Sequence, residues 1–349
     1  MIGDVLTSTI IFEALHKNLK NVELHFAINA HTKAVVEQNP YIDKLKIITP
    51  EIEHSKINFL KFCLDLKKEH YDIVIDVYGK IGSLLMVAFS HAPIRIGFEK
   101  SYSKILFTKT FKNKKNRSKN INLASENRLM LLQPIIKEID YNIEPKIYIK
   151  PNEKAELLKK LSNENIHITS ENYIMVNILG SQEAKTYPLN YMAKLLDRIT
   201  MEFPELKLLF NYIPKQQNTV DKLISLCNNK TRQSISPYYG KSLREFLVLT
   251  TFCKAVIGNE GGAINMGKAL NIPTFAIFSP WIRKESWGAK NNDNKNETVH
   301  LKDFKPDLFT NYNRKTFKKR ALNLYKEFQP ELFENKICEF IAKTIEATI

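Results

Sequence analysis

Residues 254–280 run Lys-Ala-Val-Ile-Gly-Asn-Glu-Gly-Gly-Ala-Ile-Asn-Met-Gly-Lys-Ala-Leu-Asn-Ile-Pro-Thr-Phe-Ala-Ile-Phe-Ser-Pro. The stretch reads as a strand, a tight glycine turn, a short helix, a second turn and a second strand. Ala255 to Ile257 is a short apolar run closed by Gly258, as in a buried parallel strand. Gly261 and Gly262 let the backbone turn sharply and approach a ligand closely. Ala263 to Leu270 suits a helix, which Asn271 and Pro273 stop, and Thr274 to Phe278 forms the next strand. A helix that starts from a glycine turn at a strand's carboxyl end gathers free N–H groups and the positive end of its dipole, so it suits an anion. An ordinary strand–helix–strand crossover with no ligand fits the spacing equally well. Two better-known phosphate motifs are excluded. Gly262 to Lys268 fits the first seven positions of a P-loop, but residue 269 is Ala, which has no hydroxyl for magnesium. No G-x-G-x-x-G occurs anywhere in the chain, so the dinucleotide fingerprint is absent.

The same alternation extends upstream. Strands are predicted over Tyr173–Ile178 and Leu206–Phe210, and helices over Lys154–Leu161, Leu189–Glu202, Thr219–Leu226 and Ser242–Thr251. Gly180 to Pro188 is a loop between a strand and a helix. In the first half, Leu6, Ile10, Ile11 and Leu15 keep helical spacing over residues 2–20. Gly3-Asp4 reads as the turn that starts this helix, with Asp4 placed to cap it. Strands follow over Val22–Ala27, Lys44–Ile48, Tyr71–Val77 and Ile94–Phe98, and helices over Thr32–Gln38, Phe59–Glu69, Ile81–Phe89 and Ile121–Ile139. Asp72 and Asp76 sit on a predicted strand and read as its terminators. This grammar predicts parallel sheets covered by helices. Pro145 and Pro151 mark a linker, which gives domains of 1–150 and 151–349. A basic, aromatic stretch over Lys302–Lys319 and a final helix over Pro330–Ile345 close the chain.

Composition bounds the function. The 349 residues suffice for two domains, and 44% apolar content supports real cores. Four scattered cysteines without a C-x-x-C indicate a reduced compartment and no zinc site. The longest apolar run, Ser83 to Ile94, contains His91 and Pro93 and is too short to span a bilayer. No signal peptide opens the sequence. A net charge of +15 attracts an anionic partner, although a lysine-rich composition produces part of that charge without function. The basic loop 112–120 and the cations at 314–320 beside Phe317 and Tyr312 are the densest runs. No RRM, KH or helix-turn-helix signature turns either into a nucleic-acid site.

Several stretches, in order along nearly the whole chain, resemble glycosyltransferase family 9, the ADP-heptose:lipopolysaccharide heptosyltransferases. They are Ile2-Gly3-Asp4-Val5-Leu6, Tyr71-Asp72-Ile73-Val74-Ile75-Asp76, Arg95-Ile96-Gly97-Phe98, Gly180-Ser181 with Lys185 and Pro188, Ser242-Leu243, and Val256-Ile257-Gly258-Asn259-Glu260-Gly261-Gly262. The resemblance implies an α/β chain of GT-B fold, two Rossmann-like domains whose parallel sheets face each other across a cleft. Glu260-Gly261-Gly262-Ala263-Ile264-Asn265 stands where the family usually has Asp-Ser/Thr-Gly-x-x-His, and Tyr187 where it tends to have Trp. The family's glycine-to-glutamate signature after the Leu206–Phe210 strand is replaced by Lys215-Gln216-Gln217. The family's first strand, expected about ten residues before Gly3-Asp4, is missing, so a chain extended by it is expected to be more stable.

The resemblance also implies a chemistry. Glycosyl transfer needs a base for the acceptor hydroxyl and positive charge for the departing nucleotide diphosphate. By resemblance Asp4 is the base and Lys185 meets the diphosphate; read without it, they are a helix cap and a solvated lysine. The donor, a nucleotide-diphosphate sugar of the ADP-heptose kind, is expected at Gly180, Ser181, Thr186, Glu260, Gly261, Gly262 and Asn265. The acceptor is expected to be an anionic, lipid-linked lipopolysaccharide core, met by Lys114, Lys115, Arg117 and Arg128. The reaction is expected to be an inverting displacement without cofactor or divalent metal, in the cytoplasm and peripheral to the inner membrane face, with no nucleic-acid partner. A GT-B transferase with another nucleotide sugar and a non-catalytic basic nucleotide- or nucleic-acid-binding protein are the alternatives.

Overall fold

The computed structural model describes residues 1–102, 104–119, 121–288 and 295–346. Asn120 of the basic loop, and residues 289–294 and 347–349 of the second domain, lie outside the described residues. The chain forms two compact units, Met1–Pro145 and Lys146–Ile349.

The first unit carries α1 (Ile2–Asn18), β1 (His25–Asn29), β2 (Lys44–Ile48), α2 (Pro50–His54), α3 (Lys56–Lys67), β3 (Ile73–Asp76), α4 (Ile81–Ser90), β4 (Ile94–Phe98), β5 (Lys109–Phe111) and α5 (Leu123–Met130). Its strands are parallel but fall into two sheets, β1–β2 and β3–β4–β5. Side chains join them: the His25 ring bonds the Tyr71 hydroxyl at 2.8 Å, and Lys46 pairs with Glu69. The helical spacing of Leu6, Ile10, Ile11 and Leu15 holds in α1, and every residue from Leu6 to Leu15 is buried. Its hydroxyls are satisfied internally, Thr7 on Gly3 O and Ser8 on Asp4 O, both at 2.8 Å. Ile10, Ile11, Phe12 and Leu15 form the core of the unit with Leu24, Leu129, Leu132 and Ile136. The expected helix over Ile121–Ile139 is α-helical only over Leu123–Met130, because Pro134 disfavours helix before it. Thr32–Gln38, expected as a helix, is instead a 3₁₀ turn over Ala30–Val35.

The second unit carries α6 (Pro151–Asn163), β6 (Asn172–Asn177), α7 (Leu189–Glu202), β7 (Leu206–Phe210), α8 (Gln217–Leu226), α9 (Asn229–Ser234), α10 (Leu243–Thr250), β8 (Ala255–Asn259), α11 (Gly262–Ala269), β9 (Thr274–Ile277), α12 (Lys284–Trp287), β10 (Asn296–Val299), α13 (Arg314–Lys319), α14 (Ala321–Lys326) and α15 (Glu334–Glu346). One parallel sheet runs in the order β10-β9-β8-β6-β7. Counted within the unit this is the doubly wound order whose direction of winding reverses between β6 and β8. Every residue of β8 and β9 is buried, which is why both read as unbroken apolar runs. The polar edge strand β10 carries no such signal.

Candidate functional site

Open α/β sheets bind ligands outside the carboxyl ends of their strands, at the point where the winding reverses. Here that point lies between β6 and β8, and two asparagines build it. Asn177 Nδ2 donates to Asn259 O at 2.7 Å, and Asn259 Nδ2 donates to Asn177 O at 3.1 Å. Asn259 Oδ1 also accepts from the Tyr187 amide at 2.6 Å. These buried bonds fasten the Gly180–Pro188 loop to the strand that leads into α11. They require Gly258: its φ is +117°, and a Cβ there would lie 2.4 Å from Asn177 O.

The loop is closed on itself. The Gly180 amide donates to Thr186 Oγ1 at 3.1 Å, and that hydroxyl donates to Gln182 O at 3.1 Å. A Cβ on Gly180 would lie 2.4 Å from Lys185 O. Gly180 and Thr186, both expected at the donor, therefore also shape the loop. Ser181 is exposed on it. Ala184 O accepts from Ser279 Oγ at 2.6 Å and from the Trp281 indole at 2.9 Å, which pins the residue before Lys185. Tyr187 is fully buried, donates to Phe328 O at 2.7 Å and packs against Tyr325, Phe328 and Phe333.

Glu260 is the most unusual residue of the site. Only 7% of it is exposed, and its Oε2 has no hydrogen-bond partner among the described residues. Burial pushes its carboxyl above the usual range, opposed by the charges of Lys185 and Lys268. A buried oxygen left unpaired is costly, and a ligand hydroxyl would satisfy it. The hydroxyl of Tyr325 is likewise buried without a partner. Gly261 and Gly262 do not need to be glycine for their conformation: Gly261 is extended, with φ 161°. Added Cβ atoms would meet nothing nearer than 4.0 and 3.9 Å. The demand for glycine expected there falls on Gly258 instead. Asn265, half-buried, lies in the first turn of α11.

In the first unit, Asp4 occupies the first turn of α1 and does not cap it; the cap position is Met1, which makes no side-chain bond. Asp4 Oδ1 accepts from Arg128 Nη2 at 3.0 Å. Arg128 is buried and also donates to Ser8 Oγ at 2.9 Å and to Ala124 O at 3.0 Å. Burial lowers its pKa and Asp4 opposes that. Expected as a surface contact for the acceptor, Arg128 is thus an internal brace for Asp4. Lys114, also expected at the acceptor, is half-buried, and its ammonium lies 2.6 Å from the fully buried Glu126. Burial pushes the Glu126 carboxyl up, but Lys114 and Ser118 together hold it below its usual range. Lys115 is exposed and Arg117 half-buried, and both take part in further interactions. Asp76 closes the turn after β3, accepting from the amides of Tyr78 at 2.8 Å and Gly79 at 2.9 Å.

Sequence reasoning missed Asn177, Asn259 and Trp281. The asparagines were detectable as the last residues of two apolar strands, and Trp281 as one of only two tryptophans. No group of three or more His, Cys, Asp or Glu residues that could hold a metal ion occurs among the described residues. No helix among them is long and apolar enough to cross a membrane.

The profile of "Glycosyltransferase family 9 (heptosyltransferase)" matches residues 59–312. The chain is similar to lipopolysaccharide heptosyltransferase 1 of Campylobacter coli, 27% identical over 289 residues, or 79% of this chain and 81% of that one. Among solved structures, a family 9 glycosyltransferase of Veillonella parvula superposes with a TM-score of 0.71 at 17% identity, covering 94% of this chain and 95% of the other. The E. coli heptosyltransferase WaaC, solved with ADP, superposes with a TM-score of 0.69 at 12% identity, covering 99% and 97%. Both likenesses concern the fold, which is that of the GT-B heptosyltransferases.

Proposed function

The chain belongs to glycosyltransferase family 9, and from that premise we propose that it moves a heptosyl group from ADP-heptose to a lipopolysaccharide core acceptor by an inverting single displacement. The observation that carries this reading is the meeting of the Lys185 loop, the unpartnered Glu260 and the start of α11 at the winding reversal between β6 and β8. The names of the relatives supply the sugar and the glycan; WaaC solved with ADP supplies the nucleotide.

In this reading the acceptor oxygen attacks the anomeric carbon as the bond to the diphosphate breaks. Asp4 takes the hydroxyl proton, held in place by Arg128. Lys185 meets the charge that develops on the leaving diphosphate, and the first-turn amides of α11 and the Ser181 hydroxyl add donors. Glu260 accepts from hydroxyls of the donor sugar or ribose. Asn265 offers an amide where a histidine would offer a charge. Lys115 and Arg117 remain candidate contacts for the anionic acceptor.

A lipid-linked acceptor calls for contact with a membrane face. Ile57, Leu60 and Leu64 on α3, and Ile81 and Leu85 on α4, are exposed. The two helices pack side by side, with Lys56 and Lys61 exposed on α3 and Lys80 exposed just before α4. An apolar stripe flanked by lysines suits peripheral binding to anionic lipid.

A thermal-shift screen of nucleotide sugars tests the donor. ADP-heptose at a hundred times its dissociation constant stabilises the fold by about 2.7 kcal/mol, and UDP- and GDP-sugars at the same concentration do much less. A larger shift with a UDP-sugar would assign a different donor.

A further inference from the structure

Three cations crowd one indole. Lys185 Nζ lies 5.7 Å, Arg314 Cζ 5.4 Å and Lys318 Nζ 5.3 Å from the centre of the Trp281 ring. None of the three forms an ion pair with a carboxylate among the described residues, whereas the neighbouring Lys284 and Lys305 are both paired. Arg314 and Lys318 lie one helical turn apart on α13 and are exposed on one face.

The arrangement is built rather than incidental. Asn313 caps α13 by accepting from the amides of Lys315 and Thr316. Phe317, between the two cations, is buried against Phe309 and Tyr312. Tyr312 donates to Trp281 O at 2.8 Å, which ties this segment to the tryptophan. Trp281 is only 4% exposed, and its indole N–H is held by Ala184 O, next to Lys185. Cation–π attraction draws each cation to the ring, while three like charges around one ring repel one another. A multiply charged anion removes that repulsion. Lys185 also acts electrostatically on the buried Glu260, whose Oε2 has no partner, so the cluster adjoins the site at the winding reversal.

We propose that Lys185, Arg314 and Lys318 form a three-cation site around Trp281 that receives the diphosphate of the nucleotide-sugar donor, with Arg314 and Lys318 as binding residues for the leaving group. Both lie beyond residue 312, where the family match ends. The identity of the ligand rests on the transfer reading above; the anion site itself does not.

Calorimetric titration of the full chain with inorganic pyrophosphate, in metal-free buffer, tests the site without requiring turnover. Arg314→Gln/Lys318→Gln is expected to weaken pyrophosphate about tenfold or more. Lys315→Gln/Lys319→Gln removes the same charge from the same helix away from Trp281, and is expected to stay within about twofold of wild type. All four side chains are exposed, so folding is not at issue. Absence of pyrophosphate binding by the wild type, or equal weakening in both double variants, overturns the proposal. In steady-state kinetics, Arg314→Gln/Lys318→Gln should raise KM for the donor and leave KM for the acceptor unchanged. The reverse pattern would assign the cations to a phosphate of the acceptor and overturn the donor assignment. Pyrophosphate binding that depends on Arg314 and Lys318 supports the site even in a preparation that transfers no sugar, so the two readings fail separately.

Discussion

In the proposed reaction Lys185→Ala removes a charge aimed at the leaving group, and it is expected to lower kcat/KM about a hundredfold. Its melting temperature should change little, because the half-buried side chain gives up one cation–π contact with Trp281 and no ion pair among the described residues. Steady-state kinetics near wild type would return Lys185 to an ordinary surface residue. Glu260 is tested through pH. Its carboxyl is raised above the usual range in the folded chain, first by burial. The folded state therefore binds more protons than the unfolded state between the two pKa values, and stability falls as pH rises through the folded value. Glu260→Gln carries no such loss, so its melting temperature should gain on wild type as pH is raised above the usual carboxylate range. A constant difference as pH rises would mean that Glu260 is already matched by a counter-charge. The Glu260 turn was legible because it directly follows an apolar strand, whereas Lys185 was marked out only by the family resemblance. The brace between Asp4 and Arg128 was not, since it joins positions 124 residues apart. The pairing of Lys114 with a buried carboxylate was not legible either, because its partner Glu126 reads as an ordinary surface acid on a helix.

Elements transmit these constraints. Gly258→Ala forces a side chain into a left-handed backbone and against Asn177 O. It is expected to cost about 1–3 kcal/mol or more and to weaken donor binding, because the Gly180–Pro188 loop hangs on the same asparagine pair. Melting and nucleotide titration of this variant check both. Gly261→Ala should be nearly neutral for stability, since nothing lies closer than 4.0 Å to the added carbon. At the joint of α1 and α5, Asp4→Asn keeps an acceptor for Arg128 but removes its counter-charge. A loss of about 1–3 kcal/mol is expected, with donor affinity retained and turnover lowered about a hundredfold or more. An active, folded Asn variant would leave Asp4 only its structural role. The strands of the second unit were readable because burial on both faces makes continuous apolar runs. The splitting of the first unit's strands into two sheets was not, because ladder partners are set by spatial neighbours and not by local pattern.

At the scale of the whole molecule, two units carry different parts of the proposed reaction: Asp4 and its brace in the first, the Lys185 loop, Glu260 and the Trp281 cations in the second. The surplus of positive charge, +15 over the chain, is consistent with anionic substrates on both sides of the transfer. In the proposed site Lys185, Arg314 and Lys318 supply the charge that the leaving diphosphate needs, so activity is expected to survive EDTA. Complete loss restored by manganese would contradict that. The reading of heptosyl transfer is tested most directly by incubating the full chain with ADP-heptose and a heptose-free lipopolysaccharide core acceptor, and following the acceptor by mass spectrometry and NMR. A mass gain of one heptosyl residue, with the anomeric configuration opposite to that of the donor, is the predicted result. An unchanged acceptor in the presence of a donor that demonstrably binds, or a product of retained configuration, would contradict the account.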